Sequence, residues 1–182
     1  GRMTPWLARL LGYITAEGYV QKREYGSATV YVTNNDREIL DDVADGLKRL
    51  GLNYTERSPH DAKPAREIVC SSSEFVSFLE SLEPALLSGS RSQRVPDAVM
   101  RATRPVKRGF LRAVIDAEGT VSPKQREVTV SSTSRRLLEG LRSLLLSFGI
   151  DSQLRSKAGG SYRLRVSGSD FARYVERIGF IT

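Results

Sequence analysis

The chain has 182 residues, 40% apolar and 27% charged, a globular composition long enough to bury a core and without the ~20-residue apolar run a membrane span requires. A single cysteine, Cys70, excludes a disulfide framework and a thiolate metal cluster, and the chain opens on a helix start rather than a secretory signal. An intracellular place is therefore expected, the cytoplasm of a prokaryote or an organelle. The net charge of +7 is unevenly shared: residues 1–100 carry 12 basic against 14 acidic side chains, residues 101–182 carry 16 against 7. A surplus confined to one half points to a polyanionic partner, nucleic acid first.

Taken in chain order, the first predicted element is a helix with Thr4 as N-cap and Pro5 at its first position, stopped by Gly18. Residues 27–33 alternate as a strand with Ala28, Val30 and Val32 on one face. A helical stripe of Ile39, Leu40, Val43, Leu47 and Leu50 follows over 38–50 and ends at Gly51. Residues 52–57 and 66–71 alternate again, and 74–82 form a short helix with Phe75, Phe78, Leu79 and Leu82 inward.

The order then repeats, with strands at 120–123, 127–131, 150–155 and 162–167 and helices at 135–148 and 170–178. Leu10, Ile14, Ala16, Glu17, Gly18 and Val20 recur as Leu111, Ile115, Ala117, Glu118, Gly119 and Val121, and Val30, Val32, Leu47 and Gly51 as Val128, Val130, Leu145 and Gly149. The expectation is a duplicated αββαββα repeat of the α+β class, one copy at 4–82 and the other at 106–182, joined by a Pro-, Ser- and Arg-containing connector at 83–105.

Both leading helices carry small residues at every fourth position, Ala8, Gly12 and Ala16 in one and Gly109, Ala113 and Ala117 in the other. That spacing puts them on one face, where small side chains let two backbones approach. Packed on each other, the helices would bring Glu17 and Glu118 side by side at their C-terminal ends. A carboxylate there opposes the helix dipole, and two together repel, so a cation is expected between them. Mg²⁺ suits carboxylate and carbonyl oxygens, with Mn²⁺ able to substitute. Two metals ~3.5–4 Å apart stabilise the attacking and leaving oxygens of a phosphodiester.

At these residues the sequence resembles the LAGLIDADG homing endonucleases: 10–18, reading LLGYITAEG, and 111–119, reading LRAVIDAEG, look like the two motifs, and the flanking pattern covers nearly the whole chain. The resemblance implies a single-chain, pseudo-twofold monomer whose two four-stranded sheets form a saddle over double-stranded DNA and which makes a staggered cut. It implies Glu17 and Glu118 as metal ligands, with the main-chain carbonyls of Ala16 and Ala117 beside them. Thr15 stands where the motif usually has Asp. By position, Asn34 and Ser132 are the polar neighbours of the metals, and Lys22 and Lys124 are the candidates to assist the leaving oxygen.

With the apolar face of each strand against the helices, the opposite face would meet DNA. In the first repeat that face holds Tyr19, Gln21, Arg23, Thr29, Tyr31, Thr33, Asn53, Thr55 and Arg57; in the second, Thr120, Ser122, Lys124, Thr129, Ser131, Gln153, Arg155, Lys157, Arg163 and Arg165. Such a mixture of Arg, Gln, Asn, Thr and Ser is what base-edge readout uses. The lone His60 reads as a loop residue, and with one histidine no Ser-His-Asp set forms. The leading reading is a site-specific nuclease carried by an intron or intein. The alternative is a non-cleaving binder of the same fold, a transcriptional regulator or a maturase touching intron RNA.

Overall fold

A computed structural model describes residues 2–59 and 65–181; His60 lies outside them. Helix α1 (Pro5–Glu17) starts as its sequence dictates, the Thr4 hydroxyl accepting from the Leu7 N–H at 3.3 Å with Pro5 in the first turn. Strands β1 (Gly18–Lys22) and β2 (Ala28–Asn34), helix α2 (Arg37–Arg49), strands β3 (Thr55–Arg57) and β4 (Arg66–Ser71) and helix α3 (Ser73–Leu82) complete the first repeat. A short helix α4 (Asp97–Met100) sits in the link. The second repeat runs α5 (Arg104–Glu118), β5 (Thr120–Ser122), β6 (Glu127–Ser132), α6 (Arg135–Leu146), β7 (Gln153–Lys157), β8 (Ser161–Ser167) and α7 (Ser169–Arg177). The two antiparallel sheets have the same order, β1-β2-β4-β3 and β5-β6-β8-β7.

The inner face of each sheet packs on its helices: Val30, Val32, Ile68 and Cys70 from one, Val128, Val130, Leu164 and Val166 from the other are all buried. Between the halves run α1 and α5. A Cβ at Gly12 would lie 2.8 Å from both the Ala113 Cβ and the Phe110 carbonyl, and one at Gly109 would lie 2.8 Å from the Pro5 carbonyl. The starts of the helices touch, and so do their middles, so they run parallel. Ala8 and Ala113 are fully buried in this contact.

Gly18 and Gly119 end their helices for a steric reason. Both have extended φ and ψ rather than a left-handed cap. A Cβ would strike the Ile14 carbonyl at 2.7 Å in one and the Ile115 carbonyl at 2.6 Å in the other. Each chain thus turns directly from helix into strand beside its acid.

Strands β3 and β7 are shorter than their alternating patterns at 52–57 and 150–155. Side chains hold the approach to β7: the Asp151 N–H donates to Asp170 at 3.1 Å and the Ser152 N–H to Asp151 at 2.9 Å. The link is tied down as well. Arg94 pairs with Glu83 at 2.8 Å and with Asp97 at 2.9 Å, the Ser134 hydroxyl at the α6 N-cap donates to the Gln93 carbonyl, and Val95 packs so closely on Gly140 that a Cβ there would meet it at 2.6 Å. No helix among the described residues is long and apolar enough to cross a membrane.

Candidate metal centre and nucleic-acid interface

The parallel packing of α1 and α5 delivers Glu17 and Glu118, the last residue of each helix, to the same end of the molecule. Neither last turn contains a basic side chain, and among the described residues neither acid has an ion-pair partner. Burial pushes the Glu17 carboxyl up to about 7, against the hydrogen bond from Asn34 that pulls it down. Glu118 is also raised to about 7, first by loss of water and then by the charge of Glu17, although its outer edge stays exposed. The charge of Glu17 felt at Glu118 places the two carboxyls in one electrostatic neighbourhood.

Among the described residues no group of three or more His, Cys, Asp or Glu side chains could hold a metal. Two carboxylates, the last-turn carbonyls of Ala16 and Ala117 that lack intrahelical donors, and water remain. That donor set is all hard oxygen and suits Mg²⁺, which is held by one or two carboxylates together with substrate phosphates. A cavity of about 290 Å³ beside Glu118 and Ala16 is lined by further oxygens from Gln93, Ser131 and Ser132.

Asn34 stands beside its acid. Its Oδ1 accepts from the Asp36 N–H at 2.7 Å, which turns Nδ2 onto the Glu17 carboxylate. Ser132 accepts from the Ser134 N–H at 2.9 Å in the matching way and lines the cavity. The motif residue Thr15 borders the same cavity, but its hydroxyl is turned inward and donates to the Leu11 carbonyl at 2.7 Å.

The two lysines do not take the place expected of them. Strand alternation puts Lys22 on the helix side of β1 with Gly18 and Val20, where its Nζ pairs with Glu80 of α3 at 2.7 Å. Lys124 lies in the exposed turn between β5 and β6, a strand's length from Glu118, not on a DNA-facing strand.

On the outer face of the first sheet the register aligns Tyr19 with Tyr31, Gln21 with Thr29, and Thr55 and Arg57 with Val69 and Glu67. The face is knitted together. The Tyr19 and Tyr31 rings stack at 4.5 Å, Arg23 donates to Thr29 at 2.6 Å and to Gln21 and the Tyr31 hydroxyl at 3.0 Å, and Glu67 accepts from Arg57 and Thr33, each at 3.0 Å. Thr29 and Tyr31, expected on an open surface, are therefore only 1% and 6% exposed. Alternation assigns a face, but it does not show how far neighbours cover it. Asn53 is exposed but precedes β3 instead of lying in it.

The outer face of the second sheet is more open and more basic. Thr120, Ser122, Thr129 and Ser131 share it with Gln153, Arg155, Lys157, Arg163 and Arg165, the last five lining a groove of about 290 Å³. Arg165 pairs with Glu127 at 3.3 Å, and Lys157 donates to Ser131 at 3.3 Å. Sequence reading missed Glu67, Val69 and Ser71 on the first face and Glu127, Ser161 and Ser167 on the second. Continuing the alternation along β4, β6 and β8 finds all six.

These features define a duplicated helix-and-saddle protein with an acid at the end of each central helix. The LAGLIDADG-like domain family matches residues 5–83 and 105–179, and the chain belongs to that family. Among curated relatives, 96% of the chain is 30% identical to part of the replication factor C small subunit of Methanocaldococcus jannaschii, covering 9% of that protein. With the tRNA-splicing ligase RtcB of Pyrococcus abyssi it is 29% identical, over 96% of this chain and 22% of the other. With elongation factor 2 of Methanopyrus kandleri the identity is 43%, over 80% of this chain and 11% of the other. The chain thus spans a small part of the relatives it matches. In three dimensions it resembles I-DmoI in complex with DNA and Mn, with a TM-score of 0.73, 16% identity and 96% of each chain covered. It also resembles full-length DUF199/WhiA from Thermatoga maritima, with a TM-score of 0.71 and 17% identity, over 99% of this chain and 57% of that one.

Proposed function

We propose that the chain is a site-specific DNA endonuclease acting as a pseudo-twofold monomer with a divalent metal, Mg²⁺ or Mn²⁺, at Glu17 and Glu118. The observation that carries this reading is the delivery of Glu17 and Glu118 to one end of the parallel α1–α5 pair, each carboxyl raised to about 7. A pure binder gains nothing from two acids that repel across a helix interface. Solved complexes of the similar I-DmoI with DNA and Mn, and with DNA and Ca, support a divalent cation and a duplex as partners.

In the proposed reaction a bound cation supplies charge stabilisation to the phosphodiester oxygens. Glu17 and Glu118 would hold it, assisted by the carbonyls of Ala16 and Ala117. Asn34 orients the Glu17 carboxylate, while the outer faces of the two sheets grip the duplex on either side. Lys22 is bound to Glu80 and Lys124 lies in the turn between β5 and β6, so in this scheme proton transfer would be left to water.

The curated relatives argue for mobility. A replication factor, a DNA polymerase, a tRNA-splicing ligase and an elongation factor are different proteins, yet each contains a segment similar to this chain. A module carried into unrelated hosts behaves as an intron- or intein-encoded element does. The likeness to DUF199/WhiA supports the second reading, a non-cleaving DNA-binding module. Incubation with a plasmid library of randomised inserts separates the two. Linear products in Mg²⁺ and tight binding without cuts in Ca²⁺ are expected; selective binding without cuts in either metal establishes the module.

A further inference from the structure

The two halves of the centre are unequal in a way the duplication does not explain. Asn34 reaches Glu17 with its Nδ2 while its Oδ1 accepts from Asp36, but its counterpart Ser132 has no amide to extend beyond the Oγ that accepts from the Ser134 N–H. Ser132 therefore makes no bond to Glu118 like the one Asn34 makes to Glu17. At the same place, the link between α3 and α4 sends in a residue with no equivalent in the first repeat.

That residue is Gln93. It is 6% exposed, it lines the same cavity as Glu118 and Ala16, and its side-chain oxygen is buried with no hydrogen-bond partner. Buried amide oxygens are almost always paired, and an unpaired one on a residue that borders a cavity shared with a carboxylate and several hydroxyls marks a missing polar occupant. Its backbone is fixed at three points: the Ser134 hydroxyl donates to its carbonyl, Arg94 anchors to Glu83, and Val95 seats on Gly140. Such anchoring holds the side chain where it is despite the uncompensated oxygen.

We infer that Gln93 completes the Glu118 half of the metal centre, its amide oxygen serving as a hard acceptor toward the hydrated divalent cation. The inference rests on the cation site of the proposed function. It makes the link part of the centre. Gln93 is a positioning residue in this scheme, acting on the cation's water shell.

The test uses Mn²⁺ and the whole chain, followed by nitrogen-15 NMR. Mn²⁺ is expected to broaden the side-chain amide signals of Gln93 and Asn34 first, and Glu118→Gln to abolish the effect at Gln93. Gln93→Leu should weaken Mn²⁺ binding about tenfold, as loss of an outer metal neighbour does. Its melting temperature should be equal or higher, because an unpaired buried polar atom has been removed. Gln93→Glu should bind Mn²⁺ more tightly; a merely structural glutamine would make both changes neutral or harmful for binding. Sharp Gln93 signals beside a broadened Asn34, or wild-type Mn²⁺ affinity in Gln93→Leu, overturn the inference and leave the metal centre standing. If Mn²⁺ broadens nothing near either acid, the cation site itself falls, and this role with it.

Discussion

The Asn34 side chain donates to the Glu17 carboxylate while the Asp36 N–H fixes its other end, so one acid of the pair is oriented by a residue whose own orientation is decided by the backbone. Ser132 makes no such bond to Glu118, and Glu17 contributes directly to the raised affinity of Glu118 for a proton. In the proposed centre the pair would exchange protons for a cation near neutral pH.

This gives a pH dependence of stability. Glu17 and Glu118 are each raised from 4.5 to about 7, and Asp116 from 3.8 to about 7, so the folded chain binds these protons more tightly than the unfolded one. Their stabilising protonation is complete below about pH 4 and is lost as pH rises to about 7. The lowered acids Glu56 and Asp42 titrate below this window and act in the opposite sense. Thermal melts in EDTA should therefore show falling stability from pH 5 to pH 8. Mg²⁺ should restore it at pH 8 and change little at pH 5, and Glu17→Gln should recover about 1–3 kcal/mol at pH 8. A flat profile would contradict the pairing.

Close approach of α1 and α5 places the acids, so Gly12 carries the geometry. Gly12→Val sets a branched Cβ 2.8 Å from Ala113 and from the Phe110 carbonyl. A loss of about 2–4 kcal/mol in urea unfolding is expected, since neither backbone can yield. A variant as stable as wild type would show that the helices are not in contact there.

Lys22 serves as a check on the lysine assignment. Its Nζ is bound to Glu80 on the helix side of β1. Lys22→Met should leave cutting rates within about threefold and stability within about 0.5 kcal/mol, the usual worth of an exposed pair. A rate loss of a hundredfold, well above such an effect, would return Lys22 to the chemistry.

Unequal sheet faces predict unequal salt dependence. Arg155 and Arg163 line an open groove, whereas Arg23 is already bonded to Gln21, Thr29 and Tyr31. On a selected duplex, Arg163→Ala should flatten the plot of log affinity against log salt by about 0.9, the slope of one phosphate contact. Arg23→Ala should flatten it less. Equal slopes would place the phosphate grip evenly across both halves.

Much of this was legible in the chain because duplication doubled each signal. The small-residue stripes, the Ala-Glu-Gly endings and the Thr4 cap appear in the fold where the alternation and spacing put them. What the sequence concealed is lateral. Strand alternation separates inner from outer but says nothing about Arg23 folding back over Thr29, or about Glu67 closing on Arg57 from the next strand. Lys22 does lie on the strand just past Glu17, but the pleat turns it to the helix side with Gly18 and Val20, where Glu80 holds it. Gln93 carried no periodic mark at all, because its position is set by Glu83, Ser134 and Gly140, three residues distant in sequence.

The most direct measurement is cleavage and binding of a selected duplex by Glu17→Gln and Glu118→Gln in Mg²⁺. Each single change should slow double-strand cutting by about a thousandfold or more while altering duplex affinity by less than about fivefold, a loss confined to the transition state. Cutting at the wild-type rate by either variant would contradict the account.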